Sequence, residues 1–208
     1  LESAPARGVA RRVVSLAPNT TEMLYALGAG GQIVACTASC NYPPEARALP
    51  RIGDMHVDVE RVVAMAPDLV VAEWLTPPDL VRRLRALGLR VLQVDSSTID
   101  GYLETLGRLG ERTGHPAEAA RLSARLTSKV GALRRRLAEV PMQRRPRVFI
   151  EIWGRPLQTA ACQTFIDEMI RLAGGVNVFG ELEQYPRISP EALPMTITLP
   201  PPRAFMPG

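Results

Sequence analysis

The stretch PAEAARLSARLTSKVGALRRRLAEV, Pro116 to Val140, reads as one uninterrupted helix. Pro116 suits the first turn, Glu118 lies early, Arg134-Arg135-Arg136 lie late and Pro141 stops it, an order that complements the helix dipole. Leu122, Leu126, Val130, Leu133 and Leu137 recur at three- and four-residue steps, so one stripe is apolar. About 24 residues at 1.5 Å each give a rod of roughly 36 Å. Such a rod divides the chain into an upstream and a downstream part.

Upstream, strands alternate with helices. Arg12 to Leu16, Ile33 to Cys36, Leu69 to Ala72 and Val91 to Val94 read as strands. Leu69-Val70-Val71-Ala72 is continuously apolar, the pattern of a parallel strand covered on both faces. Between them, Asn19 is a cap candidate with Glu22 reaching back to it, for a helix that stops at Gly28. Pro43-Pro44-Glu45-Ala46 reads as a short helix start. Asp58 caps a helix with Glu60 in its first turn, and Asp79 to Leu87 and Ile99 to Leu109 complete the set. The alternation predicts an α/β lobe with a parallel sheet over residues 1–114.

Downstream, the pattern repeats in part. Glu22-Met23 is followed by Gly28, and Glu168-Met169 by Gly174 at the same spacing, each helix preceded by a strand that starts at a basic residue, Arg12 or Arg147. Val148-Phe149-Ile150 opens that second strand. Asp58-Val59-Glu60 and Ser189-Pro190-Glu191 each place a cap candidate before a first-turn glutamate. The expectation is two parallel-sheet α/β lobes facing each other across a cleft, joined by the helix of residues 115–141. The second, 142–208, is read as incomplete, because Leu199-Pro200-Pro201-Pro202 cannot continue a helix or a central strand. An unfinished parallel sheet exposes an edge, which predicts a homodimer or strand exchange.

Composition removes several classes. Hydrophobic residues at 46% and charged ones at 22% argue against disordered, collagen-like and coiled-coil chains. The net charge is +4, and all 25 basic residues except Lys129 are arginines spread over the whole chain. That distribution does not make a phosphate-binding patch, so a nucleic-acid partner is not expected. No stretch approaches the ~18 uncharged apolar residues of a membrane span. Cys36, Cys40 and Cys162 are too few for a disulfide scaffold and read as semi-buried thiols of undetermined pairing. Leu1 to Gly8 has no apolar core of a signal peptide and suits the start of a mature exported chain. No nucleophile elbow, P-loop, GxGxxG or HExxH is present, and Asp167 and Glu168, beside Glu151, point to different faces of one helix; an enzyme is not expected.

Several motifs carry a resemblance. Ser15-Leu16-Ala17-Pro18-Asn19-Thr20-Thr21-Glu22, Asn41-Tyr42-Pro43-Pro44, Asp58-Val59-Glu60-Arg61, Ala66-Pro67-Asp68-Leu69-Val70, Gly174-Gly175-Val176-Asn177-Val178-Phe179 and Ile188-Ser189-Pro190-Glu191-Ala192-Leu193 span residues 11 to 193. Together they resemble the class III substrate-binding proteins of ABC importers, and within them the cobalamin-binding branch. The resemblance implies the helical-backbone metal receptor fold, two α/β lobes on one long helix, and a periplasmic or other extracytoplasmic location.

It also implies roles. Glu60 and Glu191 fall where the family places one exposed glutamate per lobe to dock on arginines of the membrane permease; the plain alternative is that both only complement helix dipoles. Trp74 and Trp153, read as equivalent positions after strands of the two lobes, and Tyr42 and Tyr185, in matching loops, would offer flat faces to a corrin or porphyrin, with ordinary packing as the alternative. Met55 and His56 lie in a loop where a histidine could approach a cargo metal, or simply be solvated, and His115 reads as a surface residue. The cobalamin-binding branch has a tryptophan near Asp54-Met55-His56, so this departure keeps heme and ferric siderophores open beside cobalamin. A different class, a dimerising lobe that binds no ligand, also stays open.

Overall fold

A computed structural model of the chain describes residues 8–54 and 56–193. Expectations for the leader Leu1 to Arg7, for Met55 and for the tail from Met195 to Gly208 lie outside those residues. Two compact units are present, divided between Thr127 and Ser128.

In the first unit, β1 (Val13–Ser15), β2 (Ile33–Cys36), β3 (Leu69–Glu73) and β4 (Val91–Val94) form a parallel sheet in the order β2-β1-β3-β4. Inner strand β3 explains its own apolar run. Leu69 and Val71 point into a core with Met23, Leu24, Leu27, Leu106 and Leu109, while Val70 and Ala72 point into another with Val59, Val62, Val81 and Leu84. Helices α1 (Pro18–Ala26) and α4 (Ile99–Thr113) cover one face, and α2 (Val59–Ala64) and α3 (Pro78–Ala86) cover the other. Each residue of β3 is buried whichever way it points, so this strand lacks the alternation of a half-exposed one.

The long helix is continuous. α5 runs over Pro116–Ala138, and Ala119, Leu122 and Leu126 pack on the first core. It stops two residues before the predicted Val140, where Arg145 takes up the last-turn carbonyls: Nη2 donates to Leu137 O at 2.9 Å and Nε to Val140 O at 3.3 Å. His115, expected at the surface, is half-buried instead, its Nε2 3.3 Å from Gln32 Nε2.

Caps follow the sequence in one place and depart from it in another. Asp58 accepts from Arg61 N at 3.0 Å, as its position before the α2 helix predicts. Asn19 does not cap α1. The cap position is Ala17, and Pro18 at the first helical position moves Asn19 inside the helix, freeing its amide for other partners. The repeat survives at the helix ends. Gly28 N donates to Tyr25 O and Ala29 N to Leu24 O; residue for residue, Gly174 N donates to Arg171 O and Gly175 N to Ile170 O. Both glycines have φ above +80°, the left-handed stop that a Cβ would strain.

The second unit departs from a simple copy. β5 (Arg147–Val148) pairs in parallel with β8 (Val176–Asn177), and β6 (Glu151–Gly154) makes an antiparallel hairpin with β7 (Leu157–Thr159). The strand expected to start at Arg147 and run through Val148-Phe149-Ile150 to Ile152 therefore ends at Val148; Ile150 O is taken by the Thr159 hydroxyl at 2.8 Å rather than by a ladder. Thr164 caps α6 (Phe165–Leu172) through Asp167 N at 3.1 Å. Buried Asp167 also accepts from Asn177 Nδ2 at 3.0 Å and pairs with Arg171 at 2.8 Å, tying α6 to β8.

Leu24→Ala, at a fully buried site, is expected to cost about 2–5 kcal/mol, whereas Leu133→Ala, on an exposed stretch of α5, stays within about 0.5 kcal/mol. Urea denaturation followed by circular dichroism measures both.

Candidate ligand-binding site

Parallel strands deliver all their carboxyl ends to one edge. From β1 the chain crosses to β2 on one side and returns to β3 on the other, so the strand order reverses between β1 and β3. In open α/β sheets the crevice at that reversal is where ligands bind.

Side chains from three sheet-end segments meet there. Glu73, the last residue of β3, is buried, and its Oε1 accepts from Asn19 Nδ2 at 2.9 Å and from Ser96 N at 3.2 Å. The Ser96 hydroxyl also donates to Oε1, and Trp74 N donates to Oε2 at 2.5 Å. Asn19 spends its second N–H on Ser96 Oγ at 2.8 Å. The start of α1, the β3–α3 turn and the β4–α4 turn are thus joined through one carboxyl group. Among the described residues, no Arg or Lys forms an ion pair with it.

The fourth sheet end is braced separately. Buried Cys36 closes β2 and buried Cys40 lies one turn beyond it. Thr21 Oγ1 donates to Cys40 Sγ at 3.2 Å, and Thr21 is linked in turn to Ser15 Oγ at 2.8 Å. Arg51 Nη1 donates to Cys36 Sγ, Thr37 O and Cys40 O, each at 2.9 Å. The Cys36 thiol donating to Cys40, helped by the Thr21 and Thr37 hydroxyls, lowers Cys40 to about 6 against the opposing effect of burial. The same bond, with burial and the neighbouring Cys40 charge, pushes Cys36 up although Arg51 pulls the other way. All three cysteines are free thiols.

Beside these braces stand the aromatic candidates of the first unit. Trp74 directly follows β3, as expected, and is half-buried. Tyr42, on the segment after Cys40, is 62% exposed. His56 is exposed on the tight turn closed by the Gly53–Val57 bridge. Glu60 is exposed in the first turn of α2.

The second unit corrects the equivalence of the tryptophans. Trp153 lies within β6 of an antiparallel hairpin, not on a loop beyond a parallel strand, because β5 ends five residues earlier. Its ring is 60% exposed, with Nε1 donating to Arg155 O at 3.0 Å. Tyr185 is half-buried and its carbonyl accepts from Gln158 Nε2 at 2.8 Å. Glu191 is exposed in a 3-10 turn, Pro190–Ala192, and the Ser189 side chain does not cap that turn. Glu191's own backbone N–H and the Ser189 side chain bonded to its carboxylate hold it below the usual carboxylate range, so it stays negative.

Sequence reasoning does not single out Glu73 or Ser96, and it gives Asn19 a different partner. One signal is present in the residues: a charged residue closing an otherwise apolar buried strand must find donors nearby.

The model of the periplasmic binding protein family matches residues 13–194, and the chain belongs to that family. The vitamin B12-binding protein of Yersinia pestis (strain Pestoides F) is 33% identical over 186 residues, which are 88% of this chain and 65% of that protein's length. Among solved structures, the periplasmic vitamin B12 binding protein BtuF of Vibrio cholerae superposes with a TM-score of 0.77 at 30% identity, covering 88% of this chain and 71% of that one. The periplasmic heme-binding protein RhuT from Roseiflexus sp. RS-1 gives 0.77 at 27% identity, covering 89% and 72%.

Because Cys40 is held down in the fold, its ionised form confers stability that is complete above the ordinary thiol value and is lost as pH falls through about 6. Titration of ultraviolet thiolate absorbance is expected to show one thiol ionising near that pH, abolished in Cys40→Ser and retained in Cys36→Ser.

Proposed function

We propose that this chain is the substrate-binding component of an ABC importer, working on the extracytoplasmic side of the membrane and capturing cobalamin or a related corrinoid. The observation that carries the reading is the 33% identity to a vitamin B12-binding protein across 88% of the chain. Flat aromatic faces beside a crevice suit a large planar macrocycle and lose little conformational entropy on contact. Tyr42 and Trp74 are the candidates of the first unit, and Trp153 and Tyr185 those of the second. Met55 and His56 are candidates on the loop after Gly53. The protein captures and releases its cargo unchanged; no chemical step is assigned to it.

Glu60 and Glu191 are assigned to docking on the permease. Each is an exposed carboxylate at the start of a helical turn, open to bidentate pairing with an arginine. Heme is the second reading. A periplasmic heme-binding protein matches the fold as closely as the BtuF structure does, and a histidine stands at position 56.

Isothermal calorimetry with cyanocobalamin, hemin and a ferric siderophore tests the assignment. Saturable heat with cyanocobalamin is expected, and Trp74→Ala should weaken it about tenfold or more, while Glu60→Ala leaves it unchanged and lowers uptake by the assembled importer. Hemin alone giving heat would select the second reading. Flat titrations with all three would contradict both and favour a non-binding module.

A further inference from the structure

We propose that Glu73 is the positioning residue of this crevice: its buried carboxyl fixes the backbone from which the Trp74 ring is presented. The inference deepens the ligand-binding reading above and rests on it for what Trp74 meets, but not for how Trp74 is held. Oε2 accepts the Trp74 N–H at 2.5 Å, so the turn leaving β3 is set by the residue immediately before it. Oε1 is set in turn by Asn19 Nδ2, Ser96 N and the Ser96 hydroxyl, which come from the segments after β1 and β4.

Stability alone does not account for this arrangement. A buried acidic group bonded only to neutral donors costs desolvation that an apolar residue at the same strand end would avoid. What the carboxyl supplies is geometry. Four donors from three segments converge on two oxygens, and the group lies across the β1–β3 reversal, so the crevice floor and the aromatic beside it cannot shift independently. A site built this way is preorganised, and ordering cost is removed from the binding step.

Glu73→Gln discriminates. An amide keeps one acceptor for Asn19 and Ser96 but sets N–H against N–H at Trp74. With Trp153→Phe as background, Trp74 is the only tryptophan. Acrylamide quenching and near-ultraviolet circular dichroism then report its ring directly, and calorimetry on Glu73→Gln with Trp153 retained reports cyanocobalamin affinity. The expected result is faster quenching, an altered aromatic spectrum, and affinity weakened about tenfold, equivalent to about 1.4 kcal/mol.

Unchanged quenching and spectrum would overturn the proposal whether or not ligand binds. An altered ring with unaltered affinity would overturn its functional half. If the protein that keeps both tryptophans binds neither cyanocobalamin nor hemin, the ligand reading fails, and the optical measurements still decide what Glu73 holds. Should Glu73→Gln not fold, Ser96→Ala gives a smaller change of the same sign in quenching and affinity; no change there overturns the proposal as well.

Discussion

A carboxyl group at the end of a strand covered on both faces must be given hydrogen bonds, and this requirement organises the functional edge of the first unit. β3 is an inner strand buried along its whole length, so Glu73 cannot reach bulk water by turning over. Its donors have to come from segments that the fold already brings to the same edge. They come from the starts of α1 and of the turns after β3 and β4, and each is thereby fixed relative to the others. The Cys36–Cys40 pair does the same for the end of β2 through Thr21 and Arg51. All four sheet ends are consequently held by side chains, and the exposed Tyr42 and half-buried Trp74 stand on braced backbone.

Much of this architecture is legible in the residues. The unbroken apolar run Leu69 to Ala72 announces a strand with two covered faces, and the leucine stripe with its flanking prolines announces α5. Asp58 announces its own helix. What escapes is whatever depends on partners distant in the chain. Asn19 looks like a cap because it precedes apolar residues, yet Pro18 shifts the helix start, and its true partners, Glu73 and Ser96, lie 54 and 77 residues away. Trp153 looks like a partner of Trp74 because both come after apolar residues; the β6–β7 hairpin, whose only local signal is the Gly154-Arg155-Pro156 turn, overrides that.

The internal repeat is real at one level and lost at another. The closing turns of α1 and α6 share the same bonds at the same residues, down to the glycine that stops each helix. α3 also ends in this way at Gly88, so the cap by itself is a general device, and the weight rests on the shared Glu-Met and spacing. Ahead of α1 stands one strand of a four-stranded parallel sheet; ahead of α6 stand a two-residue strand and an antiparallel hairpin. Family membership over residues 13–194 is therefore carried by sequence and fold together, while the roles of individual aromatics have to be argued within each unit.

Hydrogen–deuterium exchange with and without cyanocobalamin reaches the central claim most directly, because it maps where cargo touches the chain without choosing residues in advance. Slowed exchange concentrated in the segments around Asn19, Tyr42, Trp74 and Ser96 is the result this account predicts. Protection confined to the opposite edge of the sheet, or none at saturating cargo, would contradict it.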